Sequence, residues 1–300
     1  MANSALLTIA RGPFLDNQRL LRDAARLEVD GSPTPRQPIA RDLHWVLARQ
    51  MSSDAQVTDA ELAAAINEAT RSPALTTWAD LDDSIFSPVG HSSDRIARLL
   101  LPGGLSALPI DSREQVVFLP TTESAIVVPS DRAAAVARAA ELVEFFIDPA
   151  TQISLLPIVG NDGKWRPFEP SPDHPAHDPW RHLLILDRAI VADAQRSALE
   201  LISRSELHVA PLLTIQVGNS LHTACSWTQG IETLLPEADI VGLTDSNGEV
   251  RFLVPWEAVA RLVSHRLFRT GHNPPRWLTV DFPNEDELDA LEIVRLGAID

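Results

Sequence analysis

The stretch that most constrains the fold is residues 234–268, which read LLPEADIVGLTDSNGEVRFLVPWEAVARLVSHRLF. Asn247 and Gly248 lie between two apolar-rich runs. This dipeptide is the strongest short signal for a β-hairpin, because a type I′ turn needs positive φ at both central residues. The turn predicts three cross-strand pairs: Ser246 with Glu249, Leu243 with Phe252, and Val241 with Val254. Because side chains alternate along a strand, five apolar residues should share one face: Val241, Leu243, Val250, Phe252 and Val254.

A helix should follow this hairpin directly. Pro255 lacks a backbone N–H, so it ends the strand ladder, and it suits the first position of a helix. The next apolar residues recur at helical spacing and form one stripe: Val259, Leu262, Val263 and Leu267. The hairpin face and the helix stripe both need covering, so the unit should belong to a larger α/β layer.

The first hundred residues are predicted to be mainly helical. Helices are expected over 16–27, where apolar residues recur at helical spacing, and over 39–50. A proline-rich linker at 31–38 separates them. Thr58 and Glu61 match a capping box before a third helix, because the hydroxyl can accept from the Glu61 amide while the Glu61 side chain reaches back.

A second hairpin is predicted from strands at 115–119 and 125–128, and Ser130 is placed to cap the helix that follows. This helix shares the tetrapeptide Ala-Val-Ala-Arg with the helix predicted after Pro255. The tetrapeptide lies at 135–138 and at 258–261. Two interpretations stay open. The chain holds two copies of one hairpin–helix module, or strand–proline–helix units and alanine-rich tetrapeptides recur by chance.

The whole pattern predicts an α+β (mixed α/β) fold. In it, a helical N-terminal segment precedes hairpin–helix units that form a small sheet covered by helices. The second half adds a boundary at 170–179, a helix at 182–203, a buried strand at 211–217, a helix at 226–235, a strand at 277–282 and a last helix capped by Asn284. The predicted domains are a mainly helical segment at 1–104, a first strand–helix module at 105–170, and a module at 171–300 built on 234–268.

The net charge of −16 at pH 7 argues against two classes of partner. Nucleic acid calls for a basic surface that displaces counterions, and anionic lipid calls for a basic patch. No apolar run approaches the roughly 18 to 20 residues that cross a bilayer, and the first residues lack the regions of a secretion signal. One cysteine excludes an intramolecular disulfide. We expect a cytoplasmic protein, and Lys164 as the only lysine is typical of a GC-rich bacterial gene.

A cluster of histidines and aspartates at 173–182 could hold a metal ion. Imidazole and carboxylate groups are the usual ligands of zinc, and five lie close together here: Asp173, His174, His177, Asp178 and His182. The surrounding prolines, and the lack of an HExxH arrangement, favour the alternative of an exposed polar loop. We therefore expect no metal or other cofactor and keep these five residues as weak candidates.

Cys225, with His222 three positions before it, is the candidate nucleophile. A catalytic thiol needs a lowered pKa, a base within reach and an oxyanion hole. The residues around Cys225 match no protease signature. The alternative is a buried cysteine that packs as a small apolar residue.

Trp165 and Trp180 are the residues most typical of a partner-binding surface. Both lie in the loop-rich middle of the chain, and tryptophan is favoured at interfaces because it combines a large apolar area with one polar handle. Because no catalytic template fits, we predict a non-catalytic protein that binds another protein or regulates it. A hydrolase that uses the 173–182 cluster or a Cys225 nucleophile is the alternative.

Overall fold

The computed structural model of the protein describes residues 7–26, 36–47, 57–71, 77–82, 84–90, 92–109, 112–148, 151–202, 207–218 and 220–296. Within these ranges the chain forms seven α-helices and four mostly antiparallel sheets. It divides into two compact units: Met1–Leu15 with Gly31–Asp187, and Asp16–Asp30 with Arg188–Asp300. None of the described helices combines the length and the apolar character that crossing a bilayer requires.

The first unit contains two sheets. Its strands are β1 (Leu7–Arg11), β2 (Gln37–Ala40), β3 (Leu43–Leu47), β4 (Trp78–Asp82), β5 (Ile85–Pro88), β6 (Gln115–Thr121), β7 (Ser124–Pro129), β8 (Gln152–Asn161) and β9 (Lys164–Pro167). They pair in the orders β1-β3-β2 and β4-β5-β7-β6-β8-β9. The helices are α1 (Gly12–Arg26), α2 (Asp59–Arg71), α3 (Ser93–Leu99), α4 (Ala133–Val143) and α5 (His177–Ile202), of which α1 and α5 continue into the second unit.

This strand-rich architecture corrects the predicted fold of a small sheet covered by helices behind a helical N-terminal segment. The helix predicted over 39–50 is wrong, because β2 and β3 form a hairpin whose turn holds Arg41 at positive φ (53°). Trp45 and Val46 are both buried in β3, and aromatic and β-branched residues favour a pleated surface. The linker predicted over 31–38 lies largely outside the described residues.

Two predictions for the first unit's helices concern their caps. The capping box is confirmed, because the Thr58 amide donates to the Glu61 carboxylate (2.9 Å) and the Glu61 amide donates to the Thr58 hydroxyl (3.3 Å). The cap by Ser130 is wrong, because α4 begins after Arg132 and has no side-chain cap. The hairpin ahead of α4 is confirmed as β6 and β7, whose residues are buried along both strands.

The first unit contains an ion triad in which Arg11 and Asp187 are buried and Asp42 is partly exposed. The Arg11 guanidinium contacts the Asp42 carboxylate at 2.7 Å and the Asp187 carboxylate at 2.9 Å. Burial on its own would lower the pKa of Arg11, but the two carboxylates outweigh it and raise that pKa. The Leu155 amide also donates to Asp187, at 2.9 Å. These contacts join segments far apart in the sequence and make the triad part of the fold.

The second unit also contains two sheets. Its strands are β10 (His208–Val209), β11 (Leu213–Val217), β12 (Ser220–Thr228), β13 (Thr233–Pro236), β14 (Ile240–Thr244), β15 (Val250–Pro255), β16 (Leu267–Arg269) and β17 (Arg276–Thr279). They pair in the orders β10-β13-β17-β16 and β11-β12-β14-β15. Its further helices are α6 (Trp256–Leu262) and α7 (Glu285–Glu292).

Two more predictions fail in this unit. The helix predicted over 226–235 is instead the end of β12 and the strand β13, joined by a turn in which Gly230 has positive φ (79°). The strand predicted over 211–217 exists as β11, but it is an exposed edge strand and not a buried one. A continuous apolar run alone does not reveal whether a strand has neighbours on both sides.

The hairpin and helix predicted within 234–268 are present as β14, β15 and α6. The helix is shorter than predicted: it ends at Leu262, so Leu267 lies in β16 and not on a helical stripe, and Pro255 is the N-cap and not the first helical residue. The pairs Leu243–Phe252 and Val241–Val254 are confirmed, but a register shift next to Thr244 removes the pair of Ser246 with Glu249. The type I′ turn is wrong: Gly248 has positive φ (88°) and Asn247 does not. The bulge also takes Val250 out of the predicted apolar face, leaving it 57% exposed.

The two hairpin–helix modules, β6–β7–α4 and β14–β15–α6, pair their strands in a similar way. Gln115 pairs with Pro129 in β6–β7, and Ile240 pairs with Pro255 in β14–β15, so a proline closes the same end of both hairpins. Both hairpins carry an irregularity towards the turn, and both helices are followed by a 3₁₀ turn. These likenesses agree with a duplicated module, which stays a hypothesis.

Candidate functional site

The histidine and aspartate cluster at 173–182 is spread over a loop and the first turns of α5. His174 Nδ1 accepts from the Ala176 amide (3.1 Å), His177 Nδ1 lies 3.2 Å from the Pro170 carbonyl, and His182 Nε2 lies 3.1 Å from the Glu144 carboxylate. Asp173 and Asp178 are exposed. Among the residues described, no group of three His, Cys, Asp or Glu side chains lies close enough together to hold a metal ion.

Cys225 lies in the core of the second unit. Burial raises the pKa of its thiol to about 12, which is the opposite of what a nucleophile needs. Its sulfur lies 3.6 Å from the Pro236 carbonyl. His222, three residues earlier on β12, projects to the other face of the sheet because side chains alternate along a strand. The strand therefore does not bring this imidazole to the thiol.

The two tryptophans predicted as partner-binding are both half-buried. Trp165 donates from Nε1 to the Leu100 carbonyl at 2.7 Å and packs against the core of the first unit. The Trp180 ring lies 6.2 Å from the His177 ring. A partner-binding role for both tryptophans stays a prediction.

Exposed sheet edges offer a different kind of site, because an edge strand has unpaired N–H and C=O groups that another strand can bond. Most edge strands in the described residues have a feature that hinders pairing with another strand. Charged residues or prolines lie on four of them: β4 carries Asp80, Asp82 and a bulge, β9 carries basic residues and a proline, β2 carries a proline, and β16 carries an arginine. Of the other two, β1 is buried and β10 is only two residues long. The edge of β15 is partly occupied, because the Leu253 carbonyl accepts a hydrogen bond from the Leu296 amide at 2.8 Å.

β11 has none of these features. Its sequence, Leu-Thr-Ile-Gln-Val, contains no charge and no proline, and its pairing with β12 shows no register shift. It is the terminal strand of its sheet and is largely exposed. Of the edges in the described part of the chain, it is the one left without protection.

The register shows which peptide groups of β11 point outwards. On β12, the Thr223 carbonyl accepts from the Asp239 amide at 3.1 Å, beside β14. The peptide groups of Thr223 thus face β14, and those of the neighbouring residues face β11 because the direction alternates along a strand. Thr223 pairs with Thr214 across β11–β12. The N–H and C=O groups of Thr214 and Gln216 therefore point away from the sheet, towards solvent.

The side chains of β11 divide between two faces. Cys225 and Val241 point into the core of the second unit, so the alternate residues point to the opposite face of the sheet. That opposite face includes the apolar side chains of β11: Leu213, Ile215 and Val217. Leu213 is 49% exposed and the other two are partly exposed, so an apolar strip runs beside the free backbone edge.

A buried arginine fixes the segment that leads into β11. Arg276 is fully buried, and its guanidinium donates to the Gln195 side chain (2.6 Å) and to the carbonyls of Ala210 (2.8 Å), Ala192 (3.0 Å) and Leu234 (3.1 Å). Burial lowers its pKa to about 10. Because Ala210 lies three residues before Leu213, this guanidinium anchors the start of the edge strand.

Asp239 fixes the other side of the strand's partner, β12. Its carboxylate accepts from the Thr223 amide and hydroxyl, both at 2.8 Å, and pairs with Arg188 at 3.3 Å. Burial on its own would raise the pKa of Asp239, but the Thr223 hydrogen bonds and Arg188 outweigh it, and the net shift is downwards. β12 is thereby held in register against β14, and β11 is held against β12.

One sequence signal for this edge was missed. Residues 207–231 contain no Asp, Glu, Lys or Arg, although 22% of the chain is charged, so about five or six charged residues would be expected in these 25 positions. The stretch forms β10, β11 and β12. Because the chain as a whole is acidic, the exposed and uncharged strand β11 forms a surface that differs in charge from the rest of the protein.

The fold and the edge define a strand-rich α+β protein of two compact units, one of which has an open sheet edge. Comparisons with known protein families, with curated proteins and with solved structures find no match to this chain.

Proposed function

We propose that this chain is a non-catalytic protein-binding protein, and that it takes up an extended protein segment at the free edge of β11. The observation that carries the proposal is the outward direction of the Thr214 and Gln216 peptide groups on an unprotected edge. Added strands gain affinity from such main-chain hydrogen bonds and specificity from alternate side chains. The apolar strip of Leu213, Ile215 and Val217 supplies the side-chain contacts.

The alternative, a hydrolase, has less support. The Cys225 thiol is buried with a raised pKa and without the His222 base on its side of the sheet. His174 accepts a backbone hydrogen bond at Nδ1, so its neutral ring carries its proton at Nε2 and presents no free lone pair to a metal. A binding role makes no such demand on these side chains.

Proline substitution tests the proposal, because proline removes one N–H at a chosen position. Thr214→Pro removes an N–H that points outwards, so the β11–β12 ladder stays intact, and proline is tolerated at such edge positions. Leu213, which then precedes a proline, already has the extended conformation that this requires. Thr214→Val is the matched control, since it changes the side chain and keeps the N–H.

The assay is selection of peptides from a displayed random library against the full chain. We expect selected peptides of about four to six extended residues with alternating apolar positions, and at least a tenfold loss of their affinity for Thr214→Pro. Thr214→Val should retain binding within about twofold. Equal peptide affinity of Thr214→Pro and wild type would refute binding at this edge.

A further inference from the structure

The occupant that the edge of β11 fits best is another β11. This inference rests on the proposed function, since it names the segment that the edge takes up. The physical requirements are an uncharged partner strand, peptide groups that match in register, and apolar residues on the same face. A second copy of the chain supplies all three.

The charge pattern disfavours a basic peptide. Residues 207–231, which include β11 and β12, carry no Asp or Glu that would attract one. Two copies with a net charge of −16 each repel one another, but at this edge they meet through uncharged strands. Acidic residues farther away are screened, because the Debye length is about 8 Å at physiological ionic strength. The uncharged edge is thus the place where two such chains can approach.

The backbone geometry allows an antiparallel pair with two-fold symmetry. When the axis passes beside Ile215, Thr214 lies opposite Gln216 of the second copy, and Gln216 lies opposite the second copy's Thr214. Both residues direct their N–H and C=O groups outwards, so each of these pairs can exchange two hydrogen bonds, about four in total. The interface is isologous, as in most homodimers.

The side chains match in the same register. Directly opposed residues of an antiparallel pair lie on the same face, so Leu213 lies beside Val217 of the second copy and the two Ile215 side chains meet at the axis. The exposed apolar strip of one copy then continues into that of the other. From this geometry we propose that β11 pairs with β11 of a second copy and joins the two four-stranded sheets into one.

Sedimentation of the full chain tests the pairing. The wild-type mass should rise with concentration from 32.8 kDa towards twice that value, and higher salt should strengthen association by screening the repulsion. Thr214→Pro should weaken dimerisation at least tenfold, and Thr214→Val should behave as wild type. A wild-type chain that stays at 32.8 kDa at every concentration, or a Thr214→Pro chain that associates as tightly as wild type, overturns the proposal.

Cysteine crosslinking tests the register and does not depend on the proline variant folding. Ile215→Cys should form a disulfide-linked dimer under mild oxidation, because the two positions oppose each other at the axis. Leu213→Cys alone should not crosslink, since its copies lie about 13 Å apart along the strands, but mixed with Val217→Cys it should. Wild type, with buried Cys225, is the control, and equal crosslinking of Leu213→Cys alone and Ile215→Cys contradicts this register.

The two proposals can fail separately. If the wild-type chain is strictly monomeric while selected peptides bind it and lose affinity for Thr214→Pro, the second copy is ruled out and binding at the edge stands. If peptides bind wild type and Thr214→Pro equally, binding at the edge fails.

Discussion

Substitution of Arg276 by Met should strongly destabilise the second unit. The guanidinium makes four hydrogen bonds, to one side chain on α5 and to carbonyls on α5, after β10 and on β13. Met has a similar length and fills much of the same space, but it donates none of these bonds. Gln195 Oε1 and the three carbonyls would then lose a donor in a site that excludes water.

The magnitude follows from two opposing terms. Hydrogen bonds from a charged donor contribute about 1.5–3 kcal/mol each, while burial of the charge opposes folding, as the lowered pKa of about 10 indicates. Losing the donor leaves buried neutral acceptors without it, at a cost of about 1–3 kcal/mol for each one that finds no other donor. Removal of the buried charge offsets part of this cost, which places the net loss at about 3–5 kcal/mol. We expect a loss in this range for Arg276→Met. Arg276→Lys should lose less, because an ammonium keeps the charge and up to three donors.

The assay is urea unfolding followed by tryptophan fluorescence and far-UV circular dichroism. Arg261→Met is a suitable control, because Arg261 is exposed on α6 and surface substitutions usually change stability by less than about 0.5 kcal/mol. A loss below about 1 kcal/mol for Arg276→Met would show that the four hydrogen bonds do not hold the second unit together.

Three further predictions concern single groups. Asp239 has a lowered folded pKa, so its stabilising effect is complete above its ordinary pKa of 3.8 and is lost as the pH falls through the folded value. In urea titrations, the difference in unfolding free energy between wild type and Asp239→Asn should therefore shrink as the pH falls from 3.8 through the lower folded pKa. Asn284→Ala removes the capping box of α7 and should lower the unfolding free energy by about 0.5–2 kcal/mol, with no loss in chemical denaturation counting against the cap. The double variant His174→Ala/His177→Ala should keep peptide binding at β11, and elemental analysis of purified wild type should find no stoichiometric zinc, iron or manganese.

The sequence predicted local features well where the signal and its effect lie within a few residues. The capping box at Thr58 and the cap at Asn284 are present as predicted, and the cap at Asn284 is also a capping box. Such caps depend on side chains three positions apart. The pair Val241–Val254 is present although the two-residue loop assumed for it is wrong, because the bulge next to Thr244 restores the predicted register farther along the strands. The turn type differs from the prediction, because Asp245 accepts from the Asn247 and Glu249 amides (2.8 and 2.9 Å) and stabilises a turn with a bulge.

Long-range features could not be read in the same way. The exposure of β11 depends on its terminal place in the sheet order β11-β12-β14-β15, which the five residues of the strand do not encode. The bonds of Arg276 reach residues 42 to 84 positions away, and no local pattern marks such an arginine as buried. The candidate edge therefore emerged only from pairing, although the uncharged stretch at 207–231 was visible in the sequence.

Amide hydrogen exchange of β11 at two protein concentrations tests the central claim most directly. In dilute solution the amides of Thr214 and Gln216 should exchange fast, because they point outwards, while the Ile215 amide should be protected by its bond to β12. At high concentration Thr214 and Gln216 should become protected as the second copy pairs, and Ile215 should change little. If all three amides exchange alike at both concentrations, the open edge and its pairing are both contradicted.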